Sequence, residues 1–116
     1  MPNRRLHPRK QVSIETRLFL RGISRTEPPT IIPCRIVDVS ESGARSEIGV
    51  AYRLPPRVFL LRDESESIYE CRTVWQVDEG AGLAFVDLCG WAKHEELLKE
   101  IRTARILDKE DLFDLS

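Results

Sequence analysis

The sequence predicts an all-β domain with one helix, namely a six-stranded antiparallel β-barrel followed by a C-terminal amphipathic α-helix. Three observations indicate this fold class. Residues 11–20 and 68–77 alternate apolar and polar side chains with the period of two that a half-buried strand requires. Four shorter apolar segments, each bounded by turn-forming residues, accompany them, and closing six strands into a barrel removes exposed edges. After residue 90 the apolar period becomes helical.

The composition suits one domain with its own hydrophobic core. The chain has 116 residues, of which 41% are hydrophobic, and its formal net charge is -1. A neutral chain with a local basic cluster favours a small anionic ligand over a long nucleic acid. We divide the single domain 1–116 into a flexible basic arm 1–10, a barrel 11–87, a helix 90–107 and an acidic tail 108–116.

The cysteines and the N-terminus favour a cytoplasmic protein. Cys34, Cys71 and Cys89 are odd in number, widely spaced and without a CxxC pair, so we expect free thiols and no metal site. Free thiols are typical of a reducing compartment. The N-terminus has no apolar segment of a signal peptide, and no apolar run reaches the length of a membrane span, so we expect no membrane insertion.

The strands follow in order along the chain. The first places the side chains at alternate positions from Val12 to Leu20 on one face. Residues 21–30 contain glycine, serine and two prolines and form a loop. The remaining predicted strands are 31–39, 44–48, 57–62, 68–77 and 81–86. In the last two we expect Trp75 and Phe85 to be core residues, and Asp78-Glu79-Gly80 to make the hairpin turn between them.

The segment from Trp91 to about Leu107 predicts an amphipathic helix. Trp91, Leu98 and Ile101 fall on one possible apolar stripe, and charged residues fill the opposite face. On a barrel, the simplest place for such a helix is over one open end. A helix that binds a partner protein is the alternative.

Two polar clusters carry the functional signal. Residues 4–10 contain four basic side chains and a histidine, with Arg5 and Arg9 in an R-x-x-x-R pattern and Arg4 beside the first. Residues 38–43 form the pattern D-x-S-x-x-G with Asp38, Ser40 and Gly43 directly after a predicted strand. These residue types are typical of a tight turn, and a hairpin turn alone would explain the second cluster.

Together, the two clusters resemble the PilZ domain, a family that binds the bacterial second messenger cyclic di-GMP. The resemblance covers residues 4–105 and implies strands followed by one terminal helix. It implies that Arg4, Arg5 and Arg9 are ligand-binding arm residues and that Asp38, Ser40 and Gly43 form the strand–turn part of the site. Arg72 is a weaker candidate, since a solvated strand arginine explains it better.

The chemistry of these residues fits such a ligand. Guanidinium groups bind phosphates, donate two hydrogen bonds to the O6/N7 edge of guanine and stack on its face. Carboxylate and hydroxyl oxygens, as in Asp38 and Ser40, accept from the N1 and N2 donors of guanine. A glycine such as Gly43 lets a flat base approach the backbone. We expect no cofactor beyond the ligand.

The sequence therefore predicts a cyclic di-GMP sensor whose arm becomes ordered on binding and signals to a downstream protein. The alternative is a degenerate PilZ-like module that acts through protein contacts without the nucleotide. A barrel for single-stranded nucleic acid is disfavoured because only 7% of residues are aromatic, so we expect neither DNA nor RNA as partner. No nucleophile, base and acid stand in a catalytic pattern, so we expect no enzyme. We expect a monomer or weak dimer.

Overall fold

The structure is a computed structural model that describes residues 9–21, 28–48, 52–62, 67–77 and 79–107. Six antiparallel strands build it. They are β1 (Lys10–Leu20), β2 (Thr30–Val39), β3 (Gly43–Ile48), β4 (Arg57–Arg62), β5 (Ser67–Val77) and β6 (Gly80–Leu88). Each lies within two residues of the bounds that the alternation predicts.

The strands form a closed barrel. Their order is β1-β4-β5-β6-β3-β2, and β1 pairs back with β2 over its whole length, from Lys10 opposite Val39 to Leu20 opposite Thr30. One helix, α1 (Trp91–Ile101), and a two-residue strand, β7 (Arg105–Ile106), follow β6. The short β7 runs parallel to β2. The predicted fold class, an antiparallel barrel with one helix, is confirmed.

Alternation along each strand separates an inner from an outer set of side chains. The inner set of β1 is the predicted one, and Leu18 and Leu20 are almost fully buried there. Leu54 and Leu107 join the same interior cluster from segments outside the six strands. Both adjoin the strand ends that lie opposite the β2–β3 turn, so they cover that end of the barrel interior. The interior cluster includes Leu18, Leu20, Ile32, Cys34, Ile36, Val58, Leu60, Cys71, Ala81 and Leu83.

The helix packs on the outer wall of the barrel and does not plug its open end. Leu97 is fully buried in a second cluster with Phe19, Phe59 and Leu61. These residues alternate with inward-facing neighbours on β1 and β4, so they lie outside the barrel. The predicted stripe was wrong at its start, because Trp91 is 81% exposed. The helix packs the face that carries Leu97 against the outer wall of β1 and β4 and so covers that wall.

The helix is also shorter than the predicted 90–107. It ends at Ile101, where the amides of Thr103 and Ala104 donate to the carbonyls of Glu100 and Ile101 at 3.1 Å each. The amide of Leu107 then donates to the Ile31 carbonyl at 2.8 Å, and Leu107 is buried in the barrel interior. The contacts with β2 and the burial of Leu107 take the place of a last helical turn on the surface.

An ion-pair group joins the helix to β1. The guanidinium of Arg21, directly after β1, donates to Glu100 at 2.5 and 3.0 Å and to Glu96 at 3.0 Å. Hydrogen bonding to Glu100 raises the pKa of Arg21 above its ordinary value. The helix is 11 residues long. Within the described residues, no helix has the length and apolar content needed to cross a membrane.

The second half of β5 departs from the predicted alternation. A register shift between Thr73 and Trp75 leaves Val74 without a partner on β6. This bulge turns Trp75 outward, with 43% of the residue exposed, so its assignment to the core was wrong. Gln76 turns inward instead, donates to the Tyr52 carbonyl at 2.5 Å and accepts from the Leu54 amide at 2.8 Å. Phe85 is half-buried against the interior cluster.

The three cysteines are free, as predicted. Cys34 and Cys71 are buried in the barrel interior, and burial raises the pKa of each thiol to about 12. Burial also raises the pKa of the half-buried Cys89. At neutral pH the two interior thiols are therefore protonated, and they act as small apolar side chains.

The position of the helix predicts how two substitutions differ. Leu97→Ala removes a fully buried side chain, so we expect it to lower the free energy of unfolding by about 2–5 kcal/mol. Trp91→Ala removes a larger but exposed side chain and should change it by less than about 0.5 kcal/mol. Urea unfolding of both variants measures this. A greater loss for Trp91→Ala would contradict the packing.

Candidate ligand-binding site

The D-x-S-x-x-G residues form the hairpin turn between β2 and β3. The Ser40 amide donates to the Gly43 carbonyl at 2.8 Å, which closes the turn. The Ser42 amide lies 3.3 Å from the Ser40 hydroxyl, and the hydroxyls of Ser40 and Ser42 are 3.2 Å apart. The Ser40 side chain therefore stabilises its own turn, as serine commonly does.

Gly43 allows β3 to approach β6 closely. A Cβ atom at this position would lie 2.2 Å from the carbonyl oxygen of Leu83, far inside any allowed contact. The neighbouring Ser42 carbonyl accepts from the Phe85 amide at 2.8 Å and continues the β3–β6 contact into the turn. The backbone packing alone thus requires a glycine here, independently of any ligand.

Asp38 lies between two guanidinium groups. Its Oδ1 accepts from Nη1 of Arg9 at 2.6 Å, and its Oδ2 is 3.8 Å from Nε of Arg45. The Asp38 side chain is 15% exposed, whereas those of Arg9 and Arg45 are 38% and 51% exposed. The arm and the turn are therefore already in contact through Arg9, and two cations stand beside one carboxylate at the surface.

A shallow groove of about 390 Å³ lies on the outer wall beside this ion-pair group. The strands β2, β3, β6 and β5 form its floor. Their pairing places Asp38 opposite Arg45, Arg45 opposite Gly82, and Gly82 opposite Trp75. The indole of Trp75 lies over Gly82, where a Cβ atom would be 2.2 Å from Nε1. The groove is lined by Arg9, Asp38, Ser42, Gly43, Arg45, Val74, Trp75 and Ala84, among others.

The structure brings together three of the predicted site residues, Arg9, Asp38 and Gly43. Ser40 belongs to the same turn but does not line the groove; it lies at the mouth of a separate cavity at the end of the barrel. Arg72 is exposed on β5 opposite Ala84, which lines the groove, but Arg72 itself does not line it.

The other two predicted arm residues, Arg4 and Arg5, lie outside the described residues. Their part in the site stays a prediction, and so does that of Arg72.

Two groove residues, Arg45 and Trp75, were missed in the sequence. The position of Arg45 could be predicted from the sequence, because a turn closed between residues 40 and 43 places Asp38 opposite Arg45. The position of Trp75 could not be predicted, because strict alternation puts it in the core and only the bulge at Val74 turns it outward. No sequence signal at this position distinguishes a bulge from a regular strand.

The groove contains side chains that can bind a small anionic ligand. Two guanidinium groups, a carboxylate, a bare stretch of backbone and an aromatic wall can hold an anion that carries a flat ring. In the part of the chain that the structure describes, no group of three or more His, Cys, Asp or Glu residues is placed to hold a metal ion.

Comparisons of the sequence do not add a family to this geometry. No protein-family model matches the chain, and no curated protein matches it significantly. The functional assignment therefore depends on the groove itself and on the motif resemblance, which stays a prediction.

The close approach at Gly43 predicts a loss of stability without any ligand. We expect Gly43→Ala to lower the free energy of unfolding by about 1–3 kcal/mol, because the backbone of β6 has to move. Gly90→Ala is the matched control, since a Cβ there meets nothing within 4 Å. Gly90 precedes the helix, so the control should cost less than about 1 kcal/mol. Equal melting temperatures for the two variants would contradict the contact.

Proposed function

We propose that this groove binds cyclic di-GMP and that the domain is a non-catalytic sensor of the PilZ type. The observation that carries the proposal is the contact between Arg9 and Asp38 beside the backbone of Gly43. It joins the two sequence clusters in one surface site, although Arg9 and Asp38 are 29 positions apart in the chain. The pairing of Lys10 with Val39 brings Arg9 to the turn, where it can bind the same ligand as Asp38.

The cations of the groove suit the phosphates of the ligand. Arg9 and Arg45 stand on either side of the Asp38 carboxylate and keep part of their side chains exposed. Charge-assisted hydrogen bonds from guanidinium to phosphate are among the strong polar contacts in proteins. Arg4 and Arg5 would add further donors from the arm.

The remaining groups suit guanine. The Asp38 carboxylate can accept from the N1 and N2 donors of one base, once Arg9 turns toward a phosphate or toward the O6/N7 edge. Trp75 offers a partly exposed indole on which a base can stack. The same groups discriminate against adenine, which has no donor at N1 and presents a donor at the position of O6.

The proposed switch is an exchange of partners at Asp38. In the described structure Arg9 is held by Asp38. The ligand would take over both groups and order the rest of the arm against the turn, and a downstream protein would read the new surface. The free energy available for this change is limited to the difference in ligand affinity between the two states. We place the protein in the bacterial cytoplasm, where this second messenger is made.

Calorimetric titration of the whole chain with cyclic di-GMP tests the proposal, with GTP and cyclic di-AMP as controls. We expect selective binding at micromolar concentration or better, and the stoichiometry will distinguish one ligand from a stacked pair. Binding of all three nucleotides with equal affinity would show a general anion site and would contradict the guanine-specific part.

The Arg9 contact predicts the effect of one substitution. Arg9→Ala removes a charge-assisted contact worth about 1.5–3 kcal/mol, so we expect the affinity for cyclic di-GMP to fall roughly 10- to 100-fold. Arg35→Ala is the matched control, because Arg35 pairs with Glu47 on the outer wall and does not line the groove. Unchanged affinity in Arg9→Ala, or an equal loss in Arg35→Ala, would show that the arm assignment is wrong.

A protein-interaction module that does not bind the nucleotide is the second candidate. One observation favours it, which is the 81% exposure of Trp91 at the start of the helix. Large exposed aromatic side chains are enriched at protein interfaces. Absence of cyclic di-GMP binding at high concentration would favour this candidate.

A further inference from the structure

The end of the barrel next to the β2–β3 turn contains a second cavity. It has a volume of about 300 Å³, and every strand of the barrel contributes to its lining. At least one apolar side chain from each of β1 to β6 lines it, and these residues are Ile14, Ile36, Val39, Ala44, Leu60, Tyr69 and Phe85. The cavity is separate from the groove, which lies on the outer wall.

The cavity exists because nothing in the described structure covers this end. The helix lies on the wall of the barrel, and Leu54 and Leu107 serve the opposite end. As a result, Ile14 and Tyr69 face inward but are only half-buried. A half-buried apolar side chain on the inner face of a barrel borders open space, and filling that space is favourable.

The charged groups of the cavity lie at its mouth, and the buried Thr16 hydroxyl farther in already donates a hydrogen bond to the Leu61 carbonyl. Ser40, Glu41 and Arg62 lie at the mouth. Arg62 is the last residue of β4. It alternates with the same set as Val58 and Leu60, which face the interior, so its Cβ atom points to the inner side of the barrel. Glu41, the other charged group, is an exposed turn residue that already takes part in an interaction. The mouth thus offers a guanidinium to a ligand whose body is apolar.

We propose that this cavity binds a medium-length aliphatic carboxylate, with the chain inside the barrel and the carboxylate at Arg62. The size of the chain follows from the volume. Each methylene takes roughly the space of one water molecule, about 30 Å³, so a chain of roughly eight carbons together with its headgroup fills the cavity. The site does not depend on nucleotide binding in the groove and is tested with nucleotide absent.

A chain-length series tests the apolar part. The whole chain is titrated calorimetrically with hexanoate, octanoate, decanoate and dodecanoate. Each buried methylene should raise the affinity about fourfold, and the gain should stop once the chain exceeds the cavity. A gain that continues through dodecanoate would indicate adsorption to an open surface and would overturn the enclosed site, as would absence of binding at millimolar concentration.

Two pairs of variants locate the ligand. Val39→Phe enlarges a half-buried side chain that lines the cavity, and Val86→Phe makes the same change at an exposed position. We expect Val39→Phe to weaken octanoate binding more than tenfold and Val86→Phe to leave it unchanged. If Val39→Phe does not fold, the NMR shifts of the Ile14, Ile36 and Leu60 methyl groups decide. Shifts confined to residues outside the cavity would overturn the proposal.

The headgroup is tested with Arg62→Gln and its matched control Arg57→Gln, at the other end of β4, where the guanidinium is 3.4 Å from Glu70. Arg62→Gln should weaken octanoate binding about tenfold and leave octanol binding unchanged. Arg57→Gln should affect neither. Equal binding of octanoate and octylammonium to the parent protein would overturn the assignment of the carboxylate to Arg62.

Discussion

The pairing of β1 with β2 along their whole length closes the barrel, and the other features depend on that closure. A closed sheet has one inner and one outer face, so each strand position is committed to one of them. The outer set of β1 and β4, including Phe19 and Phe59, then needs its own cover, which the helix supplies through Leu97. Because the helix covers the wall, no described residue closes the barrel end beside the β2–β3 turn.

The β2–β3 turn contributes to both candidate sites because its side chains alternate between the two faces. Asp38 and Gly43 face the groove on the outside, whereas Val39 and Ala44 face the cavity inside. The turn is stabilised by its own hydrogen bonds and by the close approach of Gly43 to Leu83. A ligand at either site would therefore contact neighbouring residues of the same turn. This gives two binding events a direct physical route to influence each other.

Some residue positions in the site follow from the local turn, and others depend on contacts between distant segments. The Asp38–Arg45 neighbourhood follows from the turn alone, because a short hairpin determines which residues face each other. The position of Arg9 beside Asp38 requires the pairing of β1 with β2, and only the motif resemblance indicated it. Trp75 reached the groove through a bulge in β5, which pattern reasoning had assigned to a regular strand. Ser40, predicted as a ligand residue, stabilises the turn, and its part in binding stays a prediction.

Sequence patterns alone determined the six strands, the existence of a helix, the free thiols and the two polar clusters, because these depend on local periodicity and side-chain chemistry. The strand bounds were within two residues, since turn-forming residues mark the ends of the alternating and apolar segments. Tertiary structure decided the strand order, the face of the helix that is buried and the end of the helix at Ile101. The physical reason is that each depends on a contact between distant segments, such as Leu107 with the barrel interior, which no local pattern encodes.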